Sequence, residues 1–101
     1  MLEDLTPDSF TPHVGTTFLV ETGGGDRLGL SLVSAQAVGS SRRSGAVRER
    51  AFSVIFLGPA GAPILPQRTY RLEHEEMGAL ELFLVPVGVD GGRVQYEAVF
   101  N

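Results

Sequence analysis

The C-terminal third of the chain alternates apolar and polar side chains with a period of two residues, almost to its last position. The alternating apolar residues are Tyr70, Leu72, Leu80, Leu82, Leu84, Val94, Tyr96, Ala98 and Phe100. Successive side chains of a strand point to opposite faces of a sheet, so this pattern is typical of strands with one face in a core. It predicts that this third of the chain is paired into a sheet.

The same alternation, interrupted by turn residues, predicts six strands. We expect them at residues 16–22, 27–38, 50–57, 68–74, 79–87 and 93–100. Hairpins are indicated at Gly23–Asp26 and at Asp90-Gly91, because glycine adopts the positive φ that tight turns need. Short turns between consecutive strands predict an all-β, six-stranded antiparallel meander, closed as a small barrel or folded as a two-layer sandwich.

Residues 1–15 carry a different signal. Thr6-Pro7 and Thr11-Pro12 each place a capping residue before a proline, which suits the first turn of a helix. We expect short helical turns there, with four apolar anchors. These are Leu2, Leu5, Phe10 and Val14. A length of 101 residues fits a single β domain over residues 1–101.

Composition bounds the partners and the location. The net charge of −4 argues against nucleic-acid binding, and the chain has no cysteine for a disulfide or a thiol nucleophile. No apolar run approaches the roughly 20 residues of a membrane-spanning helix. Residues 1–5 lack the layout of a signal peptide, so we expect a cytoplasmic location, with export by a non-classical route or within an assembly as the alternative.

Motifs that carry chemistry are absent from the sequence. His74-Glu75-Glu76 begins like a zinc-binding helix, but Gly78 stands where the second histidine is needed. A phosphate-binding loop of the Walker type leads into a helix and carries a lysine. The glycines at 23–25 instead lead into a predicted strand, and the chain has no lysine. No serine lies in a nucleophile elbow, and the glutamates near residue 75 fit solvated positions. We therefore predict no catalytic, cofactor or metal site and no enzyme activity, and no motif identifies a known small-molecule substrate.

A polar stretch separates the second and third predicted strands. Residues 39–49 read GSSRRSGAVRE and predict a mobile loop. The three arginines of this loop and the arginine that follows it are candidates for contact with an acidic protein partner. The other interpretation is a solvated loop without a partner. The four arginines are Arg42, Arg43, Arg48 and Arg50. No aromatic residue is interleaved among them to stack nucleic-acid bases.

Three strands also carry apolar residues on the face opposite the predicted core. These residues are Ile55, Leu57, Phe83, Val85 and Val99. A strand face in water should be polar. Two explanations stay open: the N-terminal turns and the Ile64-Leu65 loop cover this row, or the row is a protein–protein interface.

Five sequence blocks resemble a known family. They are F-x-P-x-V-G-T-x-F at 10–18, F-S-V-I-F-x-G-P at 52–59, L-P-Q-x-T-Y-x-L-x-H at 65–74, M-G-x-L-x-L-F-L-V-P-V at 77–87 and Y-E-A-V-F-N at 96–101. Together they resemble an uncharacterised bacterial family of small all-β proteins, classed as a domain of unknown function. The resemblance implies no activity. Because similar proteins are often encoded near phage-tail-collar-like proteins, it implies a phage-tail-like or filamentous assembly.

These observations predict a non-enzymatic structural or protein-interaction module within a larger assembly. It would bind a protein partner or self-associate through the second apolar row or an open strand edge. The alternative is a small-molecule-binding β-barrel. A barrel of this size is filled by its own side chains, here six aromatic ones. They are Phe18, Phe52, Phe56, Tyr70, Tyr96 and Phe100.

Overall fold

The computed structural model describes residues 5–23, 25–37 and 51–100. It contains helix α1 (Pro7–Phe10), a 3₁₀ turn (Thr11–His13) and strands β1 (Thr17–Gly23), β2 (Asp26–Ala37), β3 (Phe52–Leu57), β4 (Arg68–His74), β5 (Gly78–Asp90) and β6 (Arg93–Phe100). The strands begin and end within one or two residues of the predicted positions, except that β5 continues to Asp90. Within these ranges, no helix is long and apolar enough to cross a membrane.

The six strands form a closed antiparallel barrel in the order β1-β2-β3-β6-β5-β4. This confirms the predicted fold class and selects the barrel over the sandwich. The order corrects the expectation of one continuous meander. Strands β1-β2-β3 and β4-β5-β6 are each meanders, but residues 58–67 carry the chain from β3 to β4, which lies beside β1. Periodicity predicts strands and faces, whereas the choice of neighbours depends on how the whole sheet closes.

The barrel interior is filled by alternate side chains of every strand. All six predicted aromatic residues take part: five are buried, and Phe100 is partly buried against the core. The stacked rings of Phe52 and Phe100 lie 4.4 Å apart, and the ring of Phe18 packs edge-on against Phe56 at 5.3 Å. Burial of this apolar surface supplies the main driving force for folding.

Helix α1 closes one end of the barrel. Ser9 N–H donates to Thr6 O, and the Ser9 hydroxyl accepts from Thr6 N–H at 3.0 Å, so the helix start is capped. Phe10 is fully buried, with its ring centroid 5.6 Å from that of Phe100. Leu5 also packs against the core, whereas Val14 is 45% exposed and is not the anchor that we predicted. Leu2 lies outside the described residues.

The connection over residues 58–67 is attached to the barrel by side-chain hydrogen bonds. The Tyr96 hydroxyl accepts from Leu65 N–H at 2.9 Å, and the Tyr70 hydroxyl donates to Pro66 O at 2.6 Å. Arg93 Nε–H donates to Gly58 O at 2.7 Å. These bonds satisfy backbone groups that a sheet ladder cannot reach.

Both predicted hairpins are present. Gly91 and Gly92 have φ of 62° and 83°, which a two-residue type I′ turn requires between the paired residues Asp90 and Arg93. Gly23 pairs with Asp26 at the other hairpin.

Candidate functional site

The two halves of the outer barrel surface differ in chemistry. On the half formed by β4, β1 and β2, Arg71 Nε lies 3.6 Å from a Glu21 oxygen and 3.4 Å from a Glu73 oxygen. Arg27 lies 3.5 Å from the other Glu73 oxygen. These exposed ion pairs contribute little to stability, but they make this half charged.

The half formed by β3, β6 and β5 carries the second apolar row. Strand β6 pairs with β3 on one side and with β5 on the other. The barrel therefore brings all five candidate residues onto one outer surface, which we call the apolar face. It consists of Ile55, Leu57, Phe83, Val85 and Val99. Phe83 is 49% exposed and Val99 is 50% exposed, while the other three are half-buried.

Within the described residues, neither predicted cover lies over the exposed part of this face. Phe10 of the N-terminal helix inserts into the barrel end, and Leu65 is buried in the core cluster. Ile64 is itself 60% exposed. The described parts of these segments therefore leave Phe83 and Val99 exposed, while residues 1–4 of the predicted cover lie outside the described residues. The prediction that a partner could bind at an open strand edge is also wrong, because every strand of the closed barrel pairs on both sides.

Glu97 lies at the centre of the apolar face. It is paired in register with Ile55 of β3 and with Val85 of β5, so one row across three strands reads apolar, carboxylate, apolar. Along β6, its outward neighbours are Gln95 and Val99, two residues away on either side. The face is thus an apolar surface that contains one half-buried carboxylate, Glu97, and two half-buried polar residues, Gln95 and Ser53.

Polar residues border the apolar face on both sides. On β2, Ser34 pairs with Ile55 and Ser31 pairs with Leu57. On β4, Thr69 pairs with Phe83. A largely apolar surface with a polar rim is a common layout of a protein–protein interface.

A second candidate is a cleft of about 430 Å³ beside the helical end of the barrel. Its lining residues are Pro12, His13, Thr16, Thr17, His74, Glu75 and Glu76. Both histidines line it, with ring centroids 4.7 Å apart, and His13 Nδ1 lies 3.5 Å from a Glu76 oxygen.

His74 lies on the inward side of β4, at its last residue, and both of its ring nitrogens are engaged. Nδ1 accepts from Glu76 N–H at 3.0 Å and from Met77 N–H at 3.1 Å. Nε2 lies 2.8 Å from the Thr16 hydroxyl, which itself donates to His13 O at 2.6 Å. This pattern requires a neutral ring that carries its proton on Nε2. Burial, reinforced by the nearby His13, lowers the pKa of His74 and favours the same neutral form against the opposing effect of Glu76 and Glu75.

The cleft therefore uses its polar groups to hold the fold together. The His74 ring accepts hydrogen bonds from the β4–β5 turn and is hydrogen-bonded to Thr16, so it connects this turn to the segment before β1. Over residues 5–23, 25–37 and 51–100, no group of three or more His, Cys, Asp or Glu side chains could hold a metal ion.

The arginine candidates cannot be placed. Arg42, Arg43, Arg48 and Arg50 lie outside the described residues, as does the loop predicted at 39–49. Their contact with an acidic partner stays a prediction.

The sequence profile of a domain of unknown function, DUF6916, matches residues 5–100 of the 101-residue chain. The chain belongs to this family. Membership confirms the resemblance to a domain of unknown function, while the bacterial origin that we inferred with it stays a prediction. No curated protein and no solved structure matches the chain.

Sequence reasoning missed the central residue of the apolar face in this DUF6916 domain. Glu97 shares the outward phase of Val99, so the period of two could have placed it on the same surface. Its position between Ile55 and Val85 follows only from the pairing of β6 with both β3 and β5. The exposed Val87 and Val89, on the extension of β5, were also not among the candidates.

Proposed function

We propose that the domain is a non-enzymatic protein-interaction module whose apolar face binds a protein partner within a larger assembly. The observation that carries this proposal is the exposure of about half of Phe83 and Val99 on a face shared with Ile55, Leu57 and Val85. Exposed apolar clusters of this kind usually mark contact sites.

The apolar side chains of the face could supply the binding free energy that a protein–protein contact needs. Fully burying a Val or Phe side chain contributes roughly 1.5–3 kcal/mol. A few such residues near the centre of a contact usually carry most of the binding free energy, while a polar rim excludes water. Phe83 is the largest side chain on the face and is the strongest candidate for an anchor.

A non-catalytic role is supported by what the polar groups of the cleft already do. The His74 ring and the Thr16 hydroxyl are committed to hydrogen bonds that connect the β4–β5 turn to the N-terminal segment. A general base needs a free nitrogen directed at a substrate proton.

The kind of assembly and the location are part of the same proposal. A phage-tail-like or filamentous assembly rests on the sequence resemblance. A cytoplasmic location, with export inside such an assembly as the alternative, is the compartment favoured by a sequence without cysteine.

The alternative of a small-molecule-binding barrel is less well supported. Side chains such as Phe18, Phe56 and Tyr96 fill the interior. Among the described residues, the cleft beside His13 and His74 is a site that a small ligand could use instead. A large, reproducible rise in melting temperature with a sugar, lipid or nucleotide, lost in a His74→Gln variant, would favour this alternative.

Affinity purification with paired baits tests the proposal. The wild-type domain and a Phe83→Thr/Val99→Thr variant are used to capture partners from the cells that produce the protein, followed by quantitative mass spectrometry. Threonine suits a strand and replaces apolar surface by a hydroxyl. We expect at least one protein to be enriched by the wild type and lost with the variant.

A matched control comes from the opposite half of the barrel. Leu19 is an exposed apolar residue on the outer side of β1, and Leu19→Thr should leave the partner bound. Unfolding measurements on all three proteins confirm that they fold. If wild type and double variant capture the same proteins, and the wild type stays monomeric in light scattering at micromolar concentration, the proposal is wrong.

A further inference from the structure

We infer that the partner of the apolar face is a different protein, one that presents an arginine or lysine surrounded by apolar side chains. In this inference Glu97 is the residue that selects this partner and disfavours a second copy of the chain. The inference rests on the proposed function, because it specifies what binds the same face.

Any partner that covers the apolar face must also cover Glu97. The residue is paired in register with Ile55 and Val85, and Val99 follows two positions along the same strand. Burial of a carboxylate without compensation is costly, so a contact limited to apolar groups would lose much of what it gains. A good partner must therefore supply a positive charge at this point.

The described part of the chain does not supply that charge. Within residues 5–23, 25–37 and 51–100, no cation lies within salt-bridge distance of the Glu97 carboxylate. Arg71, on the neighbouring β4, is engaged with Glu21 and Glu73. Arg93, at the start of β6, donates to Gly58 O and lies 3.3 Å from the Ser31 hydroxyl.

These charges argue against a symmetric pairing of two copies through this face. In a two-fold contact, each surface meets the same surface of its partner. Two apolar faces would bring together two Glu97 carboxylates and none of the described cations. The net charge of −4 on each chain adds a smaller repulsion of the same sign.

An arginine or lysine within an apolar surface satisfies both requirements. Its charged end would meet the Glu97 carboxylate, while its aliphatic stem and the flanking side chains would cover Ile55, Val85 and Val99. Arginine fits best, because its guanidinium is weakly hydrated and binds a carboxylate with two parallel hydrogen bonds.

The first experiment needs no partner. Sedimentation equilibrium compares wild type, Glu97→Gln and Glu97→Leu at neutral pH and low salt. We expect a monomeric wild type and at least about tenfold tighter self-association of the leucine variant, since the residue that disfavours pairing is gone. The glutamine variant should lie between them. A wild-type dimer that Val99→Thr disrupts would overturn the inference.

The second experiment uses a defined probe, a displayed library of small scaffolds with one randomised surface. Binders are selected on wild type and counter-selected on the Phe83→Thr/Val99→Thr variant, so that only ligands of the apolar face remain. We expect enrichment of arginine and lysine at the centre of the randomised surface. Selection on a Glu97→Arg domain should instead enrich aspartate and glutamate.

The outcomes separate the inference from the proposed function. Face-dependent binders without any preference for basic residues would overturn the inference and leave the interaction module intact. Failure to obtain face-dependent binders from the library, together with identical captures by the paired baits, would overturn both. Unfolding curves of the Glu97 variants show whether each is folded. If Glu97→Arg does not fold, selection is repeated on Glu97→Gln, where the enrichment of arginine and lysine should disappear.

Discussion

The Thr16 hydroxyl and His74 Nε2 lie 2.8 Å apart and join two segments that are 58 residues distant in the chain. Thr16 precedes β1 and is close to the helical turns, whereas His74 ends β4 and fastens the β4–β5 turn. The barrel end covered by the N-terminal segment is thus held by one hydrogen-bonded unit, and this unit can be tested separately from the apolar face.

Stability should fall as the pH drops below about 6.5, the ordinary pKa of histidine. Burial lowers the pKa of His74 in the folded state, so at acidic pH the unfolded chain binds the proton more readily than the folded one. The stabilising contribution is complete above the unfolded pKa and is lost as the pH falls towards the folded pKa. Protonation of Nδ1 would also remove the acceptor for Glu76 N–H and Met77 N–H. Urea unfolding between pH 5 and pH 8 measures this slope.

The comparison protein for that measurement is His74→Gln, which does not titrate. Its stability should be lower than that of wild type at pH 8 and should change less between pH 8 and pH 5. His13, Glu75 and Glu76 face the ring and remain in both proteins, so the difference between the two curves reports on His74. An unchanged slope in the variant would assign the pH dependence to other groups.

Thr16→Val should destabilise the domain by about 1–3 kcal/mol, because it leaves a buried ring N–H without its acceptor. The substitution keeps the shape of the side chain and removes only the hydroxyl. Thr17→Val is a matched control: both threonines are exposed, but the Thr17 side chain is directed outwards and makes no hydrogen bond within the described residues, so its replacement should change stability by less than about 0.5 kcal/mol. Equal effects of the two substitutions would contradict the role of the Thr16–His74 bond.

Phe10→Ala should cost about 3–5 kcal/mol, the usual range for removing a fully buried aromatic side chain. Its ring packs within 6.5 Å of those of Phe18, Phe52 and Phe100. Chemical unfolding gives the energy, and hydrogen exchange should show faster exchange in the N-terminal segment and in the neighbouring ends of β3 and β6. Val14→Ala, at an exposed position, should have little effect on either measurement.

Tyr96→Phe should loosen the connection between β3 and β4. The hydroxyl is the acceptor for the buried Leu65 N–H, and its removal leaves that donor unsatisfied at a cost of about 1–3 kcal/mol. Amide exchange at Leu65 is the direct measurement and should accelerate more than exchange in the centre of β6. Protection of Leu65 equal to that in wild type would show that another group satisfies the donor.

The closing alternation predicted strands β4 to β6 well, because period-two burial is a local property of each strand. Tyr70, Leu72 and Leu82 face the core as expected. The strand order could not be predicted in this way, because no local sequence signal indicates that β3 pairs with β6 or that β4 pairs with β1. That choice depends on loop closure and on the way the whole sheet packs around its core.

For the candidate site, period-two patterning was enough to identify the residues that are apolar and out of phase with the core. Phe83, Val85 and Val99 could be named because a side chain one position away from the core face must point outwards. That these residues share one surface with Glu97 at its centre follows from the strand pairing, because strands β3, β6 and β5 become neighbours only when the barrel closes. The fold also places Phe10 in the barrel end and, among the described residues, leaves Phe83 and Val99 exposed. Periodicity could not show this, because it gives the direction of a side chain relative to its strand but not the segment that packs against it.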